Sequence, residues 1–156
     1  MKESITMDKR RSDNIFVPNW IFKTILTILA IGYLTVTYWL FWPYKPLVVI
    51  APIKIHNLDR QVNPGDYLIY ELSLDKKISL PATVHRQLFN NFSITYAPIH
   101  NNLPIGRKIV HIKLLIPAYA EAGEYKLKWV SEYQVNPIRK IAVEAWSEPF
   151  HVVLKQ

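Results

Sequence analysis

Residues 24–44 read TILTILAIGYLTVTYWLFWPY, 21 residues between Lys23 and Lys45 with no charge among them. A helix of about 20 apolar residues crosses the roughly 30 Å hydrocarbon core of a bilayer. The threonines fit such a helix, because their hydroxyls can bond back to carbonyls one turn earlier. Trp20 stands at one end, and Trp39, Trp42 and Tyr44 stand at the other. Aromatic side chains take these places at membrane–water interfaces. The competing reading is a core helix, covered by protein instead of lipid. The sequence is expected to divide into a leader at 1–19, a transmembrane helix at 20–44 and a domain at 45–156.

Charge orients the span. The leader carries Lys2, Lys9, Arg10 and Arg11, with Lys23 at the helix edge, whereas only Lys45 and Lys54 follow closely. The positive-inside rule then places the N-terminus in the cytoplasm and the C-terminal domain outside, anchored in the cytoplasmic membrane. A cleaved signal peptide would have a shorter apolar region and a small-x-small site. Here the run ends in Trp-Pro-Tyr-Lys-Pro, so an uncleaved anchor is expected. The net charge of +7 splits into +2 for residues 1–44 and +5 for residues 45–156. A basic domain beside a membrane suits anionic lipid before nucleic acid.

The 112 residues after the helix are enough for one domain with a real core. There is no cysteine, which excludes a disulfide framework, a thiolate zinc site and a cysteine nucleophile. Proline in 43–46 ends the helix and stiffens a short connector. Beyond it the hydrophobic period changes to two, the strand signature. Strand A is expected over 47–56, with Lys54 and His56 facing out. Strand B turns Leu68, Tyr70, Leu72 and Leu74 inward. Strand C runs over 79–89 and is broken at Pro81 or lies on an edge. Strand D turns Phe92, Ile94 and Tyr96 inward. A Pro/Asn-rich loop at 97–106 leads to strand E with Val110, Ile112, Leu114 and Ile116. Strand F alternates Tyr125, Leu127, Trp129, Tyr133 and Val135 with polar residues. Strand G runs over 139–154 with a bulge at Glu148-Pro149. Seven strands with turn signals every 8–15 residues predict an all-β antiparallel sandwich.

Gly123-Glu124-Tyr125-Lys126-Leu127 resembles the G-x-Y-x-C opening of strand F in immunoglobulin-like domains, with Leu127 in the cysteine position. The resemblance covers 47–156 and implies a corner in which the Tyr125 hydroxyl bonds to backbone. The disulfide is absent and strand C has no tryptophan, so a bacterial-type sandwich is favoured over an antibody-type domain. The layout also resembles small single-span proteins encoded by tailed phages and prophages. FWPYKPL after the anchor and GEYKLKWVSEYQVNPIRKI near the end carry that likeness, which transfers no functional residue.

Catalytic signatures are missing. No G-x-S-x-G, H-E-x-x-H, P-loop or dinucleotide fingerprint occurs. His56, His85, His100, His111 and His151 show no H-x-H or H-x-x-x-H spacing, so no metal site and no cofactor are expected. His85 can find a carboxylate only through the fold. Asp59, Asp66, Glu121 and Glu124 sit in or beside turns. Trp129 falls in the inward phase, and Trp146 in the outward phase as an edge lid or a binding contact.

Alternation of seven strands puts three returning loops at the membrane side, carrying Lys76-Lys77, Arg107-Lys108 and Arg139-Lys140, with Lys45 at the same level. These seven residues are expected to face lipid headgroups, and the acids to mark the far pole. The expected function is a membrane-tethered, non-enzymatic interaction domain on the outer side of the cytoplasmic membrane with a membrane-proximal protein partner, acting on the host envelope if the chain is phage-encoded. A lysis or assembly factor and an envelope enzyme are the alternatives. Helix association gains little support, since Ala30 and Gly32 form no G-x-x-x-G.

Overall fold

The computed structural model describes residues 18–154. The basic leader residues Lys2, Lys9, Arg10 and Arg11 therefore lie outside the described residues. Contacts divide the chain into a unit ending at Tyr38 and a unit starting at Trp39.

The first unit holds most of helix α1 (Asn19–Phe41), 23 residues with no buried side chain. At 1.5 Å per residue it is about 34 Å long. The Pro18 carbonyl accepts the amides of Ile21 at 3.0 Å and Phe22 at 3.4 Å. The hydroxyls of Thr24, Thr27 and Thr35 donate to the carbonyls of Trp20, Lys23 and Ile31, each at 2.9 Å. This is the back-bonding expected from the sequence, and it hides three polar groups on an apolar surface. The helix stops at Phe41, ahead of Pro43, which restricts the residue before it and has no amide to donate. By length and hydropathy α1 can cross a membrane.

The second unit is β-rich. Its strands are β1 (Leu47–Val49), β2 (Lys54–Ile55), β3 (Gln61–Val62), β4 (Tyr67–Lys76), β5 (Ala82–Phe89), β6 (Ser93–Thr95), β7 (Ile99–Asn101), β8 (Gly106–Leu115), β9 (Gly123–Asn136), β10 (Arg139–Trp146) and β11 (Phe150–Val152). In the first sheet β4 is central: β1, β2 and β8 all pair with it antiparallel. In the second, β9 pairs with β5, β10 and β11, and β5 also pairs with β6 and β7. Strand β3 joins the second sheet parallel to β11.

The expected purely antiparallel sandwich is thus corrected to a mixed arrangement. The cause lies in the first strand, which divides its pairing between the sheets. After β1 the Ile53 amide donates to the Trp146 carbonyl at 3.0 Å, and the Glu148 amide donates to Ile53 at 3.2 Å. The chain returns to β4 as β2, then turns through Leu58–Arg60, where Asp59 and Arg60 have φ of 51° and 53°. That left-handed turn sends β3 alongside β11. Strand G is also divided: Ser147 takes over where the expected bulge falls, its hydroxyl accepting the Leu127 amide at 2.8 Å and donating to the Glu148 carbonyl at 2.7 Å.

Alternation builds the core. Leu68, Tyr70, Leu72 and Leu74 from β4 face Ala82, Val84 and Leu88 from β5 and Leu127, Trp129 and Tyr133 from β9. Two expectations are corrected here. Phe92 is exposed, because it sits in the turn closed by the Asn90 amide on its own carbonyl, before β6 begins. The 97–106 loop is not wholly irregular, since β7 pairs with the start of β5. Pro81 marks the entry to β5 instead of an interruption within it.

The corner is formed. Tyr125 is buried, packs against Phe150 and donates its hydroxyl to the Glu121 carbonyl at 3.1 Å. Gly123 has φ of +156°, and a Cβ there would stand 2.8 Å from Asn90 Nδ2. Leu127 is fully buried where the resemblance has cysteine. Leu127→Ala should cost about 2–5 kcal/mol through the cavity it leaves. Tyr125→Phe should cost about 1–2 kcal/mol through the lost hydrogen bond. Denaturation midpoints of the full chain in detergent check both; unchanged midpoints contradict the corner.

Burial also sets an alkaline limit. It pushes the Tyr70 hydroxyl up to about 12, against the pull of the Arg86 guanidinium. Burial raises Tyr96 and Tyr133 as well, with Arg86 opposing at Tyr96 and Ser131 at Tyr133. The unfolded chain loses these protons near pH 10, whereas the folded chain keeps them. Their contribution to stability is full below about pH 10 and is lost as pH rises through the folded values. Phenolate absorbance from these three tyrosines should therefore appear only with unfolding, above about pH 10. Ionisation of every tyrosine near pH 10 in a still-folded domain would contradict this.

Candidate functional site

Strand register gathers the basic residues at one pole of the domain. Leu47, where β1 starts, pairs with Lys76, and the Lys77 amide donates to the Pro46 carbonyl at 2.9 Å. Gly106 and Arg107 pair with Lys76 and Asp75. The β9–β10 turn reaches the same entrance: Asn136 Nδ2 donates to the Trp39 carbonyl at 2.8 Å. The Arg139 guanidinium donates to the carbonyls of Leu40 and Trp42 at 2.9 and 2.7 Å. The last carbonyls of a helix have no partner within it, and a cation at that end also answers the helix dipole. Arg139 is thus a cap held in place by a hairpin, and it is half-buried.

The seven expected headgroup-facing residues separate by environment. Lys45, Lys77, Arg107, Lys108 and Lys140 are exposed. Lys77 pairs with Asp75 at 2.5 Å. Lys76 is corrected: it is 2% exposed, and its ammonium donates to the Leu103 carbonyl at 2.6 Å and to Asn102 Oδ1 at 3.4 Å. Desolvation lowers its pKa. It continues the inward phase of β4, where Leu72 and Leu74 precede it, so its pairing with Lys77 in sequence does not survive as a pairing in space. Of the aromatics at the ends of α1, Trp20 and Trp42 are exposed and Trp39 and Tyr44 half-buried.

The opposite pole bears exposed Asp59, Asp66, Glu121 and Glu124. Backbone bonds between Asp66 and Ile116 and the approach of Asn90 to Gly123 bring these turns together. Trp129 is buried, as its phase requires. Trp146 is a partly exposed lid: its ring lies 5.4 Å from Phe89, with the Lys128 ammonium 5.2 Å above it.

A second constellation has no counterpart in sequence spacing. On the outer face of the first sheet, His56 Nε2 lies 3.1 Å from Glu71 Oε2, and His111 Nδ1 lies 4.0 Å from the same oxygen. One donor atom from each residue falls within 4.8 Å of the other two. These residues are 15 and 40 positions apart along the chain, and only the β2–β4–β8 register joins them. The remaining histidines are differently placed: His85 approaches Glu132 at 3.8 Å, and His100 Nδ1 lies 3.3 Å from the Thr83 hydroxyl.

No family model matches the chain, and no curated protein matches it. Similar solved structures include the CARDB domain of a Pyrococcus furiosus protein in complex with di-metal ions, at 13% identity and a TM-score of 0.38, covering 72% of this chain and 99% of that one. A Listeria innocua β-glucosidase in complex with glucose is 14% identical with a TM-score of 0.37, covering 70% of this chain and 17% of its own. A Pseudomonas fluorescens alkylpurine DNA glycosylase bound to DNA is 12% identical with a TM-score of 0.31, covering 61% of this chain and 30% of its own. With TM-scores this low, none assigns a fold family, a ligand or an activity.

The Arg139 cap and the exposed basic residues beside it are separable by mutation. Arg139→Ala should destabilise the domain by about 1–2 kcal/mol, because two carbonyls lose a charged donor. Lys140→Ala, an exposed neighbour, should stay within about 0.5 kcal/mol of the parent. Urea midpoints of the full chain in uncharged detergent check the pair; equal effects would contradict the capping role.

Proposed function

We propose that this is a single-span membrane protein whose β domain, outside the cytoplasmic membrane, binds a partner close to the bilayer without catalysing a reaction. The observation that carries the proposal is α1, a 23-residue helix without charge from Thr24 onward and with none of its side chains buried. Leaving a large apolar side chain in water forgoes about 1.5–3 kcal/mol relative to burial. A helix apolar all round needs a lipid or protein environment, and its length matches lipid. The excess of Lys/Arg before the span favours an inside N-terminus.

Residues 42–46 alone separate α1 from β1, so a partner of the domain lies near the membrane. The exposed basic side chains at the entrance pole suit anionic headgroups, each worth about 1 kcal/mol near such a surface and less with salt. They would hold the domain upright and turn its acidic pole outward.

A reporter fused after Gln156 should work only if it is one that requires export. Activity of a cytoplasm-only reporter there would overturn the orientation. Insertion of a flexible spacer of about twenty residues after Pro46 should weaken crosslinking to the partner in intact cells, since it frees the domain from the surface. Undiminished crosslinking would remove the claim of a membrane-proximal partner.

A further inference from the structure

We propose that His56, Glu71 and His111 form a divalent transition-metal site of the zinc class on the outer face of the first sheet. The placement follows from register. Glu71 is directly opposite His111 across the β4–β8 pair and opposite Lys54 across the β2–β4 pair. His56 is two residues beyond Lys54 and so shares that face, with its amide bonded to the Ile69 carbonyl at 2.9 Å. Three neighbouring strands therefore each aim one ligand type at a common point.

The backbone under the site is pinned. Asn57 Oδ1 accepts the Ile69 amide at 2.7 Å, and its Nδ2 donates to the Tyr67 carbonyl at 3.0 Å. That fixes the residue after His56 onto β4, which limits how far the imidazole can wander. Ligands on such a platform need little ordering when the ion arrives.

The distances suit an ion. A tetrahedral centre with bonds of about 2.1 Å holds its ligand atoms about 3.4 Å apart. His56 and Glu71 are already at 3.1 Å, and His111 stands 4.0 Å from Glu71. The His111 side chain is 63% exposed, so rotation can bring it in without disturbing the core. The imidazole rings are tilted by 59° with centroids 5.7 Å apart, so their faces do not stack in parallel. Lys54 stands opposite Glu71, yet among the described residues the carboxylate pairs with the two imidazoles.

Two imidazole nitrogens and one carboxylate oxygen are a borderline donor set, suited to Zn²⁺ and Co²⁺ and poorly to Ca²⁺ or Mg²⁺, which take oxygen cages. Three protein ligands leave a fourth position facing solvent, which water fills. Lys54 and Lys113 share the face and oppose the bound charge, so affinity falls below that of enclosed sites.

The test titrates Zn²⁺ into the tag-free full chain in uncharged detergent micelles, with empty micelles as the blank. Calorimetry should give one Zn²⁺ per chain, and Co²⁺ should develop visible absorption of four-coordinate geometry that Zn²⁺ abolishes. His56→Ala, His111→Ala and Glu71→Gln should each weaken binding at least about tenfold. His85→Ala and His151→Ala should bind like the parent. His111→Ala changes an exposed side chain and keeps the test valid if Glu71→Gln unfolds. Equal binding by parent and His111→Ala, equal losses in the His85 variant, or stoichiometry far below one would overturn the site.

Discussion

The solvation of α1 governs everything else in the molecule. From Thr24 to Phe41 the helix carries no charge, and so apolar a surface costs too much in water; none of its side chains is buried by the described residues. The three threonines conceal their hydroxyls against their own helix, so the polar groups that could have made the surface amphipathic do not. By length and hydropathy, the helix can meet that requirement in a bilayer. Residues 42–46, with two prolines, join the helix to β1.

The β domain is built for a chain arriving from one end. Its first strand divides between the two sheets, whereas both halves of its last strand, β10 and β11, pair with β9, with Ser147 completing the ladder between them. The crossing at Ile53 ties the sheets together in a chain without cysteine. The entrance pole combines a cap and a charged rim: Arg139 is engaged with helix-end carbonyls, while Arg107, Lys108 and Lys140 remain exposed. Charge at this pole is therefore partly structural and partly exposed.

Local chemistry was legible in the sequence where it is decided locally. The threonine back-bonds, the inward Trp129, the outward Trp146 and the break near Glu148 follow from spacing of a few residues, and the Tyr125 hydroxyl bond from the resemblance of its motif. What stayed hidden depends on register and long-range pairing. The parallel β3–β11 contact requires the left-handed turn at Asp59 and Arg60, two residues that carry no glycine signal. Lys76 reads as a loop lysine beside Lys77, although strand β4 runs on through it and turns it inward. Phe92 reads as the start of a strand, although the turn claims it. The His56–Glu71–His111 cluster is invisible to motif spacing because its members come from three strands. Only knowledge that Glu71 opposes both Lys54 and His111 would have found it.

The absence of cysteine makes one direct measurement clean. Single cysteines placed in turn along residues 20–44 can carry a spin label with no competing thiol. In bilayers, label accessibility to oxygen should rise from Trp20 to a maximum near Ala30–Gly32 and fall again toward Trp42. Accessibility to a water-soluble reagent should run the opposite way. A profile with no central maximum, or labels shielded from both reagents along one face, would mean that protein and not lipid covers the helix.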